Sequence, residues 1–583
     1  MRIEHVPFRR DAVDAKALAD PQLTNWPVVY VIDGAPRSRV APDLYVGETV
    51  NAHKRMIQHL KGPKRGARLD RIHVVIDERF NKSACLDLEA HLIRWFSGDA
   101  RFQVLNSNAG LASDAQYFDR ARYRESFREV FDKLRAGGLF DQSIAAIENS
   151  DMFKLSPFKT LNHDQTIAVD NILKALLADL RGDERGSTLV VQGGPGTGKT
   201  IVAIFLMKLL ADIAAHENGD EIEQDSLFAD YFFEGNRELL AGLRIALVIP
   251  QQSLRKSVQR VFSKTPRLDP KTVLSPFQFA ESHAKFDLVF VDEAHRLGQR
   301  ANQASGGQNK KFRDINERLF GRDDPSLTQL DWIRQRSRHQ ILLVDELQSV
   351  RPHDLAPATM QHVVRTAKES DRHFHLMTQM RVRAGADYVG FVRAALRGED
   401  PERPDLGDYD LRFFDDIREM RAAIRAAEQR VGLSRLVAGF AWDWVTKPRK
   451  NNKRLADFDI EIDGERMLWN TTDKDWINSP GAPDEVGSIH TVQGYDLNYA
   501  GVIMGPDLRL NPATGEIAAD RENYRDKKGK ENTGSFAGGF TDEQLLVFIR
   551  NIYGVLLTRG MLGTYVYVCD PPLRERLRRV FGT

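Results

Sequence analysis

The feature that most constrains this chain is a series of short apolar runs, separated by longer helical patterns, that begins after Leu161. Each run is about as long as one buried strand. Continuous apolar strands that alternate with helices are typical of a parallel sheet covered on both faces. The runs are TLVVQ (188–192), IALVIP (245–250), LVFVD (288–292), ILLVD (341–345) and VIMG (502–505). We therefore predict an α/β architecture with parallel sheets for the larger part of the chain.

Length and composition limit the class of protein further. A chain of 583 residues is too long for one hydrophobic core, because chains beyond about 300 residues divide into domains. Hydrophobic residues make up 42% and charged residues 28%, which is ordinary for globular proteins and argues against a disordered chain or a coiled-coil rod. The formal net charge of +1 leaves a nucleic-acid partner open, because acidic surface elsewhere can offset a basic groove.

Cysteine content and hydropathy argue against disulfide-rich, secreted and membrane proteins. The two cysteines, Cys85 and Cys569, cannot form a thiolate metal cluster or a disulfide framework. The first residues lack the apolar segment of a secretory signal, and no run of about 18 apolar residues would span a membrane. We therefore expect a cytoplasmic protein without a membrane partner.

The strongest local motif lies at 193–200. It fits the pattern G-x-x-x-x-G-K-S/T, follows the strand TLVVQ and precedes the apolar helical run IVAIFLMKLL. Glycines let backbone N–H groups converge on phosphate oxygens, and the start of a helix adds a favourable dipole. The motif predicts an ATP site in which Lys199 contacts the β- and γ-phosphates and Thr200 holds Mg²⁺. Its residues are Gly193, Gly194, Pro195, Gly196, Thr197, Gly198, Lys199 and Thr200.

Two carboxylates follow a later strand, in Asp292-Glu293-Ala294-His295. One carboxylate at a strand end can hold the Mg²⁺ shell, and the next can polarise an attacking water. Such a pair alone is more often a polar strand exit, but this pair lies downstream of a phosphate-binding loop. We therefore predict Asp292 as a metal ligand of the nucleotide site and Glu293 as a catalytic residue.

Further short motifs appear in a fixed order along the chain. They are LNHDQ with Asn162 and Gln165, IPQQSLRKSV (249–258), VDELQ with Asp345 and Gln348, LMTQMR with Gln379 and Arg381, GSIHTVQGYD with His490, Gln493 and Gly494, and VLLTRGMLG with Arg559. Together with the two motifs above, this order over residues 161–583 resembles a superfamily 1 helicase core, most closely that of bacterial Schlafen-type P-loop proteins. One departure is Val344, which stands where many relatives have glycine.

The helicase resemblance implies two RecA-like lobes, at 161–365 and 366–583, that share one ATP site. It implies that Gln165 reads the adenine and that Gln348 and Gly494 belong to the nucleotide site. It also implies that Arg381 and Arg559 act on the γ-phosphate as catalytic residues, because arginine stabilises the charge of phosphoryl transfer. Arginines so far along the chain reach the nucleotide only if the second lobe folds over it, which would couple hydrolysis to lobe motion.

The first 140 residues contain a second set of chemically suggestive residues. Tyr30 and Tyr45 lie on two predicted strands, and Arg55 and His59 are one helical turn apart and share a helix face. Glu89 lies in the middle of a predicted helix at 83–96. Asn106 and Asn108 follow that helix. This spacing resembles the GIY-YIG nuclease domain over about residues 25–110, with Val28 in place of the first motif glycine.

The nuclease resemblance implies that Tyr30, Tyr45, Arg55, His59 and Glu89 are catalytic. Glu89 would also hold Mg²⁺, which polarises the phosphate and stabilises the leaving oxygen. Arg55 would supply positive charge to the phosphate, and a tyrosine near a metal or cations could act as the base. Asn106 matches the late asparagine of the family, with Asn108 as a competitor. A basic stripe after the Arg55 helix fits backbone binding, and it consists of Lys61, Lys64, Arg65, Arg68 and Arg71.

Together these patterns predict a small GIY-YIG-like α/β nuclease domain at 1–140, a helical linker at 141–160 and the two lobes. The predicted function is ATP-dependent processing of nucleic acid by a Mg²⁺-dependent endonuclease joined to a helicase or translocase motor. DNA, single-stranded or forked, is favoured over RNA, and fusion of this kind suits DNA repair, restriction or anti-phage defence by analogy of fold.

Two alternatives remain at this stage. The motor could be an ATP-switched sensor that licenses the nuclease without unwinding, or the nuclease domain could be an inactive binding module. Two basic runs, at 447–454 and 525–530, are either solvated loops or phosphate contacts.

Overall fold

Three sheets of five or six strands organise the chain. The computed structural model describes residues 1–35, 41–61, 69–106, 117–158, 161–182, 186–216, 228–300, 306–345, 354–377, 387–446, 457–472, 476–492, 495–526 and 541–582. The chain forms two compact units, and each is described separately. The first unit contains Met1–Glu184, Thr200–Leu243 and Lys256–Val273, and the second contains Arg185–Lys199, Arg244–Arg255 and Leu274–Thr583.

The first unit is built around a five-stranded mixed sheet in the order β1-β4-β2-β3-β5, in which only β3 and β5 pair in parallel. Val29 and Val31 face a core shared with the third helix, and Val28, Tyr30 and Ile32 face a second core. The continuous apolar run at 28–32 is therefore a strand buried on both faces. The strands are β1 (Arg2–Pro7), β2 (Val28–Asp33), β3 (Asp43–Thr49), β4 (Arg71–Ile76) and β5 (Gln103–Val104).

Helices complete the first unit. The segment predicted as a linker forms two short helices, and its Ile147 and Phe158 side chains lie in the same core as Val29 and Val31. Those side chains therefore belong to the fold of the N-terminal domain. The helices are α1 (Arg10–Ala19), α2 (Ala52–Lys61), α3 (Lys82–Asp99), α4 (Arg120–Ala136), α5 (Ile144–Asn149), α6 (Asp151–Lys154), α7 (His163–Arg181), α9 (Glu234–Leu240) and most of α8 (Lys199–Ala214) and α10 (Gln252–Lys264).

The second unit begins with a six-stranded sheet in the order β11-β6-β10-β9-β7-β8, and every strand pair with a defined register is parallel. Four of the five predicted apolar runs lie in it. Its strands are β6 (Thr188–Gly193), β7 (Ile245–Val248), β8 (Val273–Leu274), β9 (Phe286–Val291), β10 (Ser337–Val344) and β11 (His373–Leu376). Its helices are α11 (Pro276–Glu281), α12 (Gly306–Phe320), α13 (Gln329–Arg336) and α14 (Pro357–Glu369).

A five-stranded parallel sheet follows in the order β12-β20-β17-β13-β16. Val437 and Val502 contribute to the core on one face, and Leu436 and Ile503 contribute to the core on the other. The sheet is therefore covered on both sides, as the apolar runs predict. Its strands are β12 (Asp410–Phe413), β13 (Ser434–Ala438), β16 (Val486–Ser488), β17 (Leu497–Met504) and β20 (Gly560–Val568).

Helices and two hairpins complete this lobe. The helices are α15 (Tyr388–Arg397), α16 (Ile417–Val431), α17 (Ile489–Val492), α18 (Asp542–Leu557) and α19 (Pro571–Phe581). The hairpins pair β14 (Ile460–Ile462) with β15 (Glu465–Met467) and β18 (Leu508–Leu510) with β19 (Ile517–Ala519). The structure confirms the predicted α/β fold with parallel-sheet lobes. Among the described residues, no helix has both the length and the apolar character needed to cross a membrane.

A buried acid follows β17 in the second lobe. Asp507 is fully buried, and the Tyr553 hydroxyl donates to its Oδ1 at 2.5 Å. The Gly505 N–H in turn donates to the Tyr553 oxygen at 2.8 Å. Burial raises the pKa of Asp507 to about 7, although the hydrogen bond from Tyr553 acts in the opposite direction. The carboxyl group therefore retains its proton to a much higher pH in the folded chain than in the unfolded chain.

The substitution Asp507→Asn tests this arrangement, because it keeps an acceptor for Tyr553 and removes the titration. Between about pH 4 and 7 the folded acid binds a proton that the unfolded acid has released, so this group lowers stability as pH rises. We expect the melting temperature of the wild type to fall more steeply over that range than that of the variant. Thermal melts at a series of pH values measure the difference. Parallel curves for the two proteins would contradict the assignment.

Candidate functional site

The phosphate-loop motif connects a strand to a helix, as its sequence context predicts. β6 ends at Gly193 and α8 begins at Lys199. Gly196 and Gly198 have φ angles of 77° and 82°, which glycine adopts without strain. A Cβ atom on Gly193 would lie 2.4 Å from Thr197 Oγ1. The loop conformation therefore depends on glycine at these positions.

Lys199 is held at the end of this loop. Its ammonium group donates to the carbonyl oxygens of Gly193 and Gly194 at 2.8 and 3.0 Å. It also lies 3.5 Å from the Asp345 carboxylate, and the side chain is only 5% exposed. A buried cation held by neutral carbonyls and one carboxylate is well placed to exchange these acceptors for phosphate oxygens.

The acidic motif lies at the end of β9. The Asp292 N–H donates to the Val248 carbonyl at 2.9 Å, which ties this end to that of β7. The buried Asp292 carboxylate accepts from the Glu293 N–H at 3.0 Å. Glu293 has φ 51° and ψ 46°, in the left-handed region. A non-glycine residue in this region stores backbone strain, which is common at functional sites.

His295 connects the ends of two neighbouring strands. The Asp345 N–H, directly after β10, donates to His295 Nδ1 at 3.2 Å. Nδ1 must therefore be unprotonated, which places the ring proton on Nε2. His295 Nε2 lies 3.1 Å from the Glu293 carboxylate. His295 belongs to the acidic motif, but the motif alone does not indicate this role.

Electrostatics keep Glu293 ionised. Burial alone would raise the pKa of this carboxyl group, but the contact with His295 and the positive charge of Lys199 outweigh it. The pKa of Glu293 therefore lies well below its ordinary value. A buried carboxylate that stays ionised at neutral pH can accept a hydrogen bond from a water molecule.

Arginines of the second lobe are the other candidates for the nucleotide site. Arg559 is 2% exposed, and its Nη1 donates to the Tyr495 carbonyl at 3.1 Å. Arg393, which the sequence analysis missed, has its pKa lowered by burial, and the Asp345 carboxylate acts against that shift. Arg393 on α15 is therefore within electrostatic reach of the end of β10. Arg381, Gln348, Gly494, Gln379 and Gln493 lie outside the described residues.

Gln165 has a local structural contact in addition to its predicted role. The Asn162 side chain accepts from the Gln165 N–H at 2.7 Å, and the Gln165 side chain accepts from the Asn162 N–H at 3.1 Å. This reciprocal pair is a capping box that starts α7. The spacing of the two residues carried that signal, which the sequence analysis overlooked. Recognition of adenine by Gln165 stays a prediction.

Tyr30 is central in the nuclease-like site. The β2–β3 register places it opposite Gly47. A Cβ on Gly47 would lie 2.3 Å from the Tyr30 hydroxyl oxygen, so the tyrosine passes over the glycine. That oxygen lies 2.8 Å from His59 Nε2. The glycine that follows Tyr45 in the motif is therefore what lets Tyr30 reach the α2 histidine.

The remaining predicted residues surround this pair. The Tyr45 ring lies 5.1 Å from the His59 ring, and Arg55 on α2 acts electrostatically on the Tyr30 hydroxyl, whose pKa it lowers. Glu89, on α3 and 6% exposed, acts electrostatically on the Tyr30 hydroxyl. The structure therefore brings Tyr30, Tyr45, Arg55, His59 and Glu89 together.

Glu48 is an acid that the sequence analysis did not assign to this site. It acts on Tyr30 as Glu89 does, and it forms an ion pair with Lys82 on α3. Burial raises the pKa of Tyr30 and outweighs the effect of Arg55. The Tyr30 hydroxyl therefore keeps its proton at neutral pH, which disfavours it as a free base and leaves His59 as its hydrogen-bond partner.

Asn106 stabilises the strand that carries Tyr45. Its side-chain carbonyl accepts from the Val46 N–H at 3.1 Å, and its amide donates to the Val46 carbonyl at 2.8 Å.

Of the predicted basic stripe, Arg71 forms an ion pair with Asp33 at 2.6 Å, and Lys61 is exposed. Asn108, Lys64, Arg65 and Arg68 lie outside the described residues. No group of three or more His, Cys, Asp or Glu side chains suited to a metal occurs in the described part of the chain.

The substitution Gly47→Ala tests the packing of Tyr30. The added methyl group would overlap the buried phenol ring, and overpacking of this kind costs about 1–3 kcal/mol. We expect a lower melting temperature, together with altered tyrosine absorbance, because Tyr30 must leave His59. The control Gly138→Ala adds a methyl group in open space in the same domain, where φ of +79° is its only strain. Equal effects of the two substitutions would argue against the close contact.

A known protein family matches the larger part of the chain. Residues 186–570 match the family described as Schlafen group 3, DNA/RNA helicase domain. The chain is also 26% identical over 469 residues to the uncharacterized protein YPL245W of Saccharomyces cerevisiae, covering 74% of this chain and 93% of that protein.

Two solved structures of an arterivirus helicase, nonstructural protein 10, alone and with DNA, are 13% identical to it with TM-scores of 0.25 and 0.26. The matches cover 70% and 71% of this chain and 64% and 65% of the viral chains. The family match begins just before β6, includes the six-stranded sheet and extends to the end of β20. Since it covers more than half of the chain, the chain belongs to the Schlafen group 3 helicase-domain family.

Proposed function

We propose that the chain is a nucleic-acid-dependent ATPase of the helicase type, joined to a Mg²⁺-dependent endonuclease domain. One observation carries the ATPase proposal. Lys199, Asp345, His295 and Glu293 form a continuous buried series of contacts at the carboxyl ends of β6, β10 and β9. These are a phosphate-binding cation, two carboxylates and a histidine that contacts both acidic residues, and hydrolysis of a nucleoside triphosphate uses such a cation together with a residue that positions water.

The residues present fit ATP and a hard divalent cation. Backbone N–H groups of the loop from Gly193 to Gly198 would contact the phosphates, and Lys199 supplies a positive charge at the end of the loop. The Asp292 carboxylate would supply an oxygen ligand of the kind that Mg²⁺ prefers, and the bound ion would neutralise charge on the phosphates. The sequence motif also predicts the Thr200 hydroxyl as a ligand of this ion. Glu293 would position the attacking water, and His295 would hold Glu293 in place through its Nε2 proton.

The contacts of Asp345 suggest how hydrolysis is coupled to the second lobe. Its carboxylate contacts Lys199, its N–H contacts His295, and it acts on Arg393 of α15. If Lys199 moved toward a phosphate, its contact with Asp345 would change. The interactions of Asp345 with His295, which contacts the water-positioning Glu293, and with Arg393 of the second lobe would then change as well. Arg559, and Arg381 by resemblance, would complete the site from that lobe.

The substitution Lys199→Ala removes the cation at the phosphate loop. We expect ATP hydrolysis to fall by about 100-fold or more, because positive charge on the transferred phosphoryl group is lost. Release of inorganic phosphate, measured with and without single-stranded nucleic acid, tests this. Lys174→Ala is a matched control, because Lys174 is an exposed lysine on α7. Near wild-type hydrolysis by Lys199→Ala would refute the ATP-site assignment.

A specific geometry also favours the endonuclease proposal. Tyr30, Tyr45, Arg55, His59 and Glu89 surround one point, with Tyr30 and His59 hydrogen-bonded. Arg55 would stabilise the pentacovalent phosphate, and Glu89 would hold Mg²⁺. His59, which shares a hydrogen bond with the Tyr30 hydroxyl, would take up the proton that an attacking water gives to Tyr30. Roles in DNA repair, restriction or anti-phage defence rest only on analogy of fold.

The substitution Glu89→Gln tests the nuclease while preserving side-chain size. We expect Mg²⁺-dependent cleavage of labelled DNA or RNA to be lost and ATP hydrolysis to be kept, since the carboxylate ligand alone is removed. Glu129→Gln, on the exposed face of α4, is the matched control. Cleavage at the wild-type rate by Glu89→Gln would refute the metal assignment. If the wild type cleaves no substrate with any metal, the domain is an inactive binding module.

The same assay, run with Lys199→Ala, separates two modes of action. Cleavage that survives the loss of ATP hydrolysis indicates a nuclease independent of the motor. Cleavage that is lost with it indicates that ATP licenses the nuclease.

A further inference from the structure

Three ionisable side chains form a connected group in the N-terminal sheet, on the face away from Tyr30. The alternation of side chains along β2 places Asp33 on the face of Val31, whereas Tyr30 lies on the other face. His73 on β4 lies opposite Val31, and His5 on β1 lies opposite His73. The group of Asp33, His73 and His5 is therefore separate from the nuclease-like site.

Asp33 fixes the orientation of the His73 ring. Asp33 is fully buried, and its Oδ1 lies 2.8 Å from His73 Nε2. Its Oδ2 accepts from the Arg71 guanidinium at 2.6 Å. A carboxylate can only accept hydrogen bonds, so the proton of the neutral His73 ring lies on Nε2. The lone pair of His73 is therefore on Nδ1.

His5 meets that lone pair from the neighbouring strand. Its Nδ1 lies 2.8 Å from His73 Nδ1, and the two ring planes are 83° apart. Residues directly opposite each other on antiparallel strands have Cβ atoms about 5 Å apart, so the strand register holds the two rings together. Since His73 Nδ1 carries no proton, His5 Nδ1 donates the one proton of this contact. Two imidazole nitrogens thus converge on one point.

The group has the parts of a metal-binding histidine with its supporting carboxylate. A histidine that binds a metal commonly donates its other ring N–H to a carboxylate, which fixes the tautomer and raises the basicity of the ligating nitrogen. Zn–N bonds of about 2.0–2.1 Å place two nitrogens of a tetrahedral site about 3.3 Å apart. The contact between His5 and His73 needs to open by about half an ångström to reach that distance. His5 is exposed on the edge strand of the sheet, so a small rotation of its ring suffices.

A structural role for Asp33 alone does not explain the two histidines. Arg71 already forms an ion pair with the buried carboxylate, so His73 is not needed as a counter-ion. A buried polar ring also costs stability relative to an apolar side chain unless its polar atoms are used. His5, which is exposed, adds little burial to the core.

We propose that His5 and His73 bind a Zn²⁺ ion through their Nδ1 atoms, with Asp33 as a positioning residue for His73. On binding, the His5 proton moves from Nδ1 to Nε2, so both rings stay neutral and the ion replaces the shared proton. Water molecules complete the coordination, since the two histidines supply only two of the four ligands of a tetrahedral ion. Imidazole nitrogen suits Zn²⁺, whereas Mg²⁺ takes oxygen ligands. The ion would tie the edge strand β1 to β4.

Zinc binding by the untagged full-length protein tests this proposal. Metal is removed with a chelator, and Zn²⁺ is then titrated calorimetrically with Mg²⁺ in large excess, which fills sites made of oxygen ligands beforehand. We expect the wild type to bind one Zn²⁺ ion more than His5→Gln, which lacks an exposed ligand. His362→Gln, a change of an exposed histidine in the second unit, should bind as the wild type does. Asp33→Asn should bind the ion about 10–100-fold more weakly.

A spectroscopic measurement separates ligands from supporting residues. Cu²⁺ binds nitrogen ligands more tightly than Zn²⁺ does, and the hyperfine structure of its electron paramagnetic resonance spectrum counts the nitrogens bound. With less than one equivalent of Cu²⁺, we expect two nitrogens in the wild type and in Asp33→Asn, and fewer than two in His5→Gln. The wild-type spectrum alone is decisive if a variant does not fold.

Three results would overturn the zinc site. These are equal Zn²⁺ binding by the wild type and His5→Gln, no Zn²⁺ binding by the wild type in excess Mg²⁺, and a wild-type Cu²⁺ spectrum without two nitrogens. None of them bears on the proposed ATPase or endonuclease, because the histidine pair lies on the opposite face of the sheet from Tyr30.

Discussion

The structure depends on one constraint, which is that a parallel sheet must be covered on both faces. Both parallel sheets meet it with strands that have buried, apolar centres, such as β6 and β17. The carboxylates predicted for the nucleotide site follow the carboxyl ends of these strands, where ligands of such sheets bind. Asp292 and Asp345 follow two neighbouring strands of the first lobe, and Phe440 and Asp507 follow two neighbouring strands of the second. The candidate nucleotide site therefore lies at strand ends, whereas the nuclease-like site is built around Tyr30 within β2 of the mixed sheet.

The sequence predicts those parts of the sites that depend on local pattern. The loop from Gly193 to Lys199 needs glycine for its backbone angles, and the strand before it and the helix after it have their own periodicity. The capping box of Asn162 and Gln165 is also a local signal, which a closer reading of the spacing would have found. These features can be predicted without knowledge of the fold, because the residues that contact each other lie within a few positions in the sequence.

Other parts of the sites depend on tertiary contacts and were not predictable. Nothing near His295 in the sequence indicates that its Nδ1 accepts from the Asp345 N–H, 50 residues later. Glu48 enters the nuclease-like site only because β3 lies beside β2, which places it near Tyr30. The role of Gly47 likewise follows from strand register, since register decides which residue lies under the Tyr30 ring. The order of motifs predicts which residues matter, and packing decides what each one contacts.

The second lobe suggests why nucleic acid and ATP would act on each other in such a chain. His490 lies beside Phe440 at one end of the fifth motif, and the carbonyl of Tyr495 at its other end accepts a hydrogen bond from Arg559. His490 follows the carboxyl end of β16, whereas Tyr495 precedes the amino end of β17. The two strands run in the same direction, because each is parallel to β13. The motif therefore joins the carboxyl ends of the strands, where His490 lies beside Phe440, to their amino ends, where Arg559 is held. A ligand that contacted His490 and a nucleotide that contacted Arg559 would act on opposite ends of one short segment of the chain.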